Sequence, residues 1–78
     1  MTKEEVLAGL KDVFKIVRPK LDPEKIQLES DLIHDLGIDS LSLMLLALAS
    51  EEKFDIKFES NRFETVNDVC EYILNAKN

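Results

Sequence analysis

Asp35-Leu36-Gly37-Ile38-Asp39-Ser40-Leu41 reads as a loop that runs into a helix. Gly37 supplies backbone freedom for a turn at positive φ. Asp39 is a good N-cap residue, so Ser40 falls at the first helical position and Leu41 inside the first turn. A serine placed there holds its hydroxyl outward, beside unpaired backbone N–H groups and the positive end of the helix dipole. Both favour a negatively charged group such as a phosphate. A serine that only helps to cap the helix also fits this local pattern. What lies on either side of the stretch decides between the two.

The helix that starts at Ser40 is expected to run to about Phe54. At about 100° per residue, Leu43, Leu46, Ala47, Ser50 and Phe54 cluster on one side. Leu41, Met44, Leu45 and Leu48 cluster on nearly the opposite side, continued by Glu51, Glu52 and Asp55. A helix that only covers a core shows one apolar stripe, and this one shows two. A chain of 78 residues can hardly bury a helix all round. The second stripe is therefore expected to face a partner. It starts beside Ser40 and ends in acids, a small apolar patch with an anionic rim that suits a basic partner.

The motif Asp-Leu-Gly-Ile-Asp-Ser-Leu, followed by a hydrophobic helix ending Glu51-Glu52-Lys53-Phe54-Asp55-Ile56, resembles the acyl carrier protein family. The resemblance covers nearly the whole chain in length, acidic balance, helix order and central motif. It implies a 4′-phosphopantetheine arm, taken from coenzyme A, on Ser40 between Asp39 and Leu41. It also implies a recognition surface on the second helix, to which Asp35, Leu41, Met44, Leu48, Glu51 and Glu52 correspond. Two positions depart from the family pattern: Leu45 stands where an acid is typical, and Ser42 where Asp is frequent. These departures remove charge from the middle of the surface and add apolar area. The expectation is a specialised carrier with a dedicated partner.

Before this stretch, Thr2 and Glu5 have the spacing of a capping box. Val6, Leu7, Leu10, Val13, Phe14 and Val17 follow at helical spacing, and Pro19 stops that helix at about Arg18. Residues 19 to 38 form a long connection. Asp22-Pro23-Glu24 starts a short helical turn, and Ser30-Asp31 is placed to start another. Ile26, Leu28, Leu32, Ile33 and Leu36 recur at no steady period but can pin the segment across the bundle. After the second helix, Ser60-Asn61-Arg62-Phe63 is expected to form a short helix or turn. A last helix begins at Thr65, with Thr65 and Asp68 in capping-box spacing. Its core stripe is Val66, Val69, Cys70, Ile73 and Leu74, and Asn75 to Asn78 are expected to fray. The fold class is all-α: a small four-helix bundle of three main helices and one short one, with a long first loop. Residues 1–78 read as one domain.

Composition excludes several function classes. A net charge of −6 with no Lys/Arg stripe argues against nucleic acid and against an anionic membrane surface. No apolar run approaches the roughly 20 residues of a membrane span. The single cysteine, Cys70, can make neither an internal disulfide nor a zinc site, and it sits in a core stripe. With no apolar signal core at the N-terminus, the cytoplasm is the default location. His34 is six residues from Ser40, but nothing near it supplies the orienting group and oxyanion hole of a catalytic triad. Ser40 is thus expected to be a substrate for chemistry rather than its agent, and the chain a carrier rather than an enzyme.

The resemblance implies a monomeric carrier that delivers acyl groups, held as thioesters, to enzymes of fatty acid, lipid or related biosynthesis. Its expected partners are a phosphopantetheinyl transferase, an acyl-carrier ligase or synthase, and ketosynthases or acyltransferases with basic or apolar docking patches. Between visits the acyl chain could retreat among Leu46, Ala47, Phe54 and Ile73. Other readings stay open on the residues alone. They are a carrier of aminoacyl, peptidyl or polyketide intermediates, an unmodified interaction module, or a small hydrolase using Ser40.

Overall fold

A computed structural model describes residues 1–59 and 63–77. It contains α1 (Lys3–Val17), a 3-10 turn (Pro23–Lys25), α2 (Ser40–Phe54) and α3 (Val66–Lys77). Among the described residues the extended pairing is one isolated antiparallel bridge, Asp31 with Thr65. The class is all-helical, as the sequence predicts.

Each helix starts where its capping chemistry says it should. Thr2 Oγ1 accepts from Glu5 N–H at 3.2 Å, and Glu5 Oε1 accepts from Thr2 N–H at 2.9 Å. Asp22 caps the 3-10 turn through Glu24 N–H. Ahead of α3, Thr65 Oγ1 accepts from Asp68 N–H, and Asp68 Oδ2 accepts from the N–H groups of Glu64 and Thr65. The end of α2 is made by Asp55, which adopts the left-handed conformation at φ 54°. The C-terminus corrects one expectation: α3 continues through Asn75, Ala76 and Lys77 instead of fraying. Ala and Lys are strong helix formers, and Lys77 complements the negative end of the dipole.

The core draws on all three helices. Val6, Leu10, Val13 and Phe14 come from α1, Leu46 and Phe54 from α2, and Val66, Val69, Cys70 and Ile73 from α3. Ile26, Leu32, Leu36 and Ile38 of the long connection are buried with them. That connection has no helical period because single hydrogen bonds, not a repeating ladder, hold it. Ser30 Oγ accepts from Gln27 N–H and donates to Lys25 O. Leu32 N–H donates to Glu64 O at 2.8 Å, and Asn67 N–H to Leu28 O at 2.8 Å, which ties the loop to the start of α3. The second short turn is centred on Asp31, whose carboxylate accepts from the N–H groups of Ile33 and His34. Of the element expected at 60–63, residues 60–62 lie outside the described residues.

Close packing of α1 on α2 turns on Gly9. A Cβ at that position would sit 2.6 Å from Phe54 Cζ. One polar atom in this interior is unmatched: Ser50 is fully buried, and its Oγ finds no hydrogen-bond partner among the described residues. A buried, unpaired hydroxyl costs about 1–3 kcal/mol.

Candidate functional site

Gly37 takes φ +65°, the left-handed turn that brings the chain to the start of α2. Asp39 is the N-cap of α2, and its Oδ1 accepts from Ser42 N–H at 2.8 Å. Ser40 opens the helix and is exposed, as are Asp39 and Leu41 on either side. The Asp39 carboxyl is held below the usual carboxylate range. The main cause is the Ser42 N–H it accepts, and the nearby positive charge of Arg18 adds to it. Arg18 Nη1 donates to the Gly37 carbonyl at 3.0 Å, so α1 holds the turn that presents Ser40. In the sequence Arg18 marks only a helix end, and a contact across 19 residues leaves no local signal.

His34 is largely exposed, with Nδ1 3.2 Å from Asp31 Oδ1, and no hydrogen bond links it to Ser40. A cavity of about 270 Å³ opens beside Asp39 and Ser40, lined by Leu32, Ile33, Ile38, Leu43 and Phe63. The chain-holding residues expected from sequence lie elsewhere. Leu46, Phe54 and Ile73 are buried in the core, and Ala47 is half-buried. The cavity beside Ser40 has a different lining, in which Leu43 is the residue that the periodicity places on the inner face of α2.

The two stripes of α2 separate as predicted. Leu46, Ser50 and Phe54 are buried, whereas Leu41, Met44, Leu45 and Leu48 are exposed. Ile16 of α1 is 74% exposed and extends the apolar face beyond α2. Together with Val17, Leu45, Leu48, Ala49 and Glu52 it lines a groove of about 360 Å³ between the two helices. The acids of the rim are not equivalent. Glu52 is exposed, but Glu51 Oε2 accepts from Phe58 N–H at 2.7 Å and Asp35 Oδ2 accepts from Asp31 N–H at 2.7 Å.

A family model described as the phosphopantetheine attachment site matches residues 4–73. The chain belongs to the acyl carrier protein family. It is 38% identical to an acyl carrier protein of Kocuria rhizophila over 79 residues, 97% of this chain and 96% of that protein. It is 39% identical to one from Campylobacter concisus over 72 residues, 86% of this chain and 94% of that protein. An acyl carrier protein of Myxococcus xanthus is 36% identical over 78 residues, 96% and 98% of the two chains. The family's members are carriers rather than catalysts, and their cofactor is 4′-phosphopantetheine. Family membership implies a phosphopantetheinyl transferase and acyl-handling enzymes as partners. The residues here fit that group. Ser40 is an exposed hydroxyl at a helix N-terminus, suited to a phosphodiester, and an apolar cavity adjoins it. Among the described residues no helix is long and apolar enough to cross a membrane.

Proposed function

We propose that Ser40 is the attachment residue, and that this acyl carrier protein delivers acyl groups to enzymes of fatty acid, lipid or related biosynthesis in the cytoplasm. The observation that carries this reading is Ser40 itself: exposed, first in α2, and flanked by the Asp39 cap and the Gly37 turn. When attached, the arm supplies a terminal thiol on which acyl groups travel as thioesters. Ser40 Oγ attacks the phosphorus that bears the pantetheine arm and forms the phosphodiester. The pyrophosphate bond of coenzyme A breaks, adenosine 3′,5′-bisphosphate leaves, and the hydroxyl proton passes to the transferase's base. The base and Mg²⁺ belong to the transferase, because Ser40 has no base of its own. Asp39 fixes the first turn, and the exposed N-terminus of α2 favours the phosphodiester charge.

Residues 1–78 act as one carrier domain and work as a monomer. The partner surface comprises Leu41, Met44, Leu45 and Leu48, rimmed by Glu52 and, less freely, by Asp35 and Glu51. Exposure of all four apolar side chains supports this assignment. Leu45 in the middle of the surface favours a dedicated partner whose docking patch is more apolar than a purely basic one. We further assign the first shelter of the acyl chain to the cavity beside Ser40, with Leu46, Ala47, Phe54 and Ile73 beyond it along the core.

Intact mass after incubation with a broad-specificity phosphopantetheinyl transferase, coenzyme A and Mg²⁺ tests the attachment. The parent should gain one phosphopantetheine and Ser40→Ala none. No gain in the parent would leave the exposed stripe as the surface of an unmodified interaction module.

A further inference from the structure

Taking Ser40 as the bearer of the arm, we propose that Ser50 selects cargo: it favours acyl chains that carry a hydroxyl or keto oxygen over plain alkyl chains. Ser50 is completely buried, and its Oγ has no hydrogen-bond partner among the described residues. A serine inside a helix ordinarily points to solvent or bonds the carbonyl four residues back, and this one does neither. Leu46 and Phe54, one turn to either side on the same face, are buried core residues. The hydroxyl is therefore fixed within apolar surroundings with its donor and acceptor capacity unspent.

Its position along α2 connects it to the attachment site. Ser50 is ten residues beyond Ser40, about 15 Å along the helix axis. Leu43, seven residues before Ser50 on the same face, lines the cavity that opens at Ser40. Between them the face carries Leu46 and the small, half-buried Ala47. A chain that enters the cavity and follows this face meets the Ser50 hydroxyl. A keto oxygen there accepts from Ser50 Oγ, and a cargo hydroxyl can donate or accept. A plain alkyl chain leaves Oγ unpaired, and a buried polar group left unpaired is what gives such sites their discrimination.

The test uses the transferase and Mg²⁺ to load the full chain from decanoyl-, 9-hydroxydecanoyl- or 9-oxodecanoyl-coenzyme A, whose oxygen sits far enough from the thioester to reach Ser50. It confirms each product by intact mass and measures Tm. In the parent, the oxygenated forms should melt about 4–8 °C above the decanoyl form. In Ser50→Ala that gap should close, while the unmodified variant melts no lower than the unmodified parent. Equal Tm for the three parent forms would overturn the proposal, as would a gap that survives Ser50→Ala. So would unmodified Ser50→Ala melting well below the parent, since the hydroxyl would then serve the fold. Failure of the parent to take up any arm would remove the Ser40 reading, and this proposal with it, and mass alone distinguishes that result from the others.

Discussion

At Gly9, the absence of a side chain lets α1 and α2 meet. A Cβ there would lie 2.6 Å from Phe54 Cζ and 3.0 Å from Cε1, and Phe54 is held in the core. Gly9→Ala gains up to about 1 kcal/mol in helix propensity. It loses about 1–3 kcal/mol to overpacking, because the ring has little room to swing away. The expected result is a fall in Tm, by about 4–8 °C for each kcal/mol of net loss. Cys70 gives a second prediction. Burial pushes its thiol up to about 11, with Glu71 adding to the rise and Lys3 opposing it. Native protein at neutral pH should therefore resist iodoacetamide and react in full once unfolded by denaturant. Rapid native alkylation would contradict the packing of α3. Cys70 was legible from the sequence, because its stripe and its acidic neighbours are local. The role of Gly9 was not, because it depends on which residue of another helix arrives there.

Two helix starts and the turn at Asp31 are where this molecule keeps much of its titratable structure. The carboxyls of Asp39, Asp31 and Asp68 are all held low, chiefly by accepting backbone N–H groups of Ser42, of His34 and of Glu64, respectively. A depressed folded value means the stabilisation is fully present above the ordinary carboxylate value of about 3.9. It is lost as pH falls through the lower folded values. Acid unfolding followed by circular dichroism should therefore begin below about pH 4, and Asp39→Asn should flatten that profile while keeping a capping side chain. A profile unchanged by the substitution would remove Asp39 from the acid response. The Arg18 tie belongs to the same scale. Arg18→Met keeps the stem and removes the donor to Gly37 O. Transferase loading should slow by roughly 5–10-fold, the scale of one hydrogen bond, with Tm little changed. Cap residues were readable because capping chemistry spans only three or four positions. The path of residues 19–38 was not, because its bonds to Glu64, Val66 and Asn67 span 30 residues or more.

For the whole molecule, the division of α2 into a buried and an exposed stripe was foreseeable from length and periodicity together. Neither alone would have said that Leu41, Met44, Leu45 and Leu48 stay outside. The part played by Ile16 was not foreseeable, since on α1 it falls off the core stripe and only the packing of α1 against α2 joins it to the patch. If this face is tuned to a dedicated partner, Leu45→Glu, which puts back the acid expected there from the family resemblance, should raise turnover with a fatty acid ketosynthase. No gain would count against the specialised reading. Next to the Ser40 cavity, which Phe63 helps to line, Tyr72 stacks on Phe58 at 4.8 Å and meets Phe63 edge-on at 5.7 Å. Its hydroxyl donates to Lys57 O and accepts from Glu59 N–H. The chain has one tyrosine and no tryptophan. When the protein is excited at wavelengths that phenylalanine does not absorb, its intrinsic emission therefore comes from a single ring clamped between α3 and the segment that follows α2. The protein carries its own unlabelled optical gauge of that junction: cargo or a partner that shifts residues 57–59 changes the light emitted by one identified side chain.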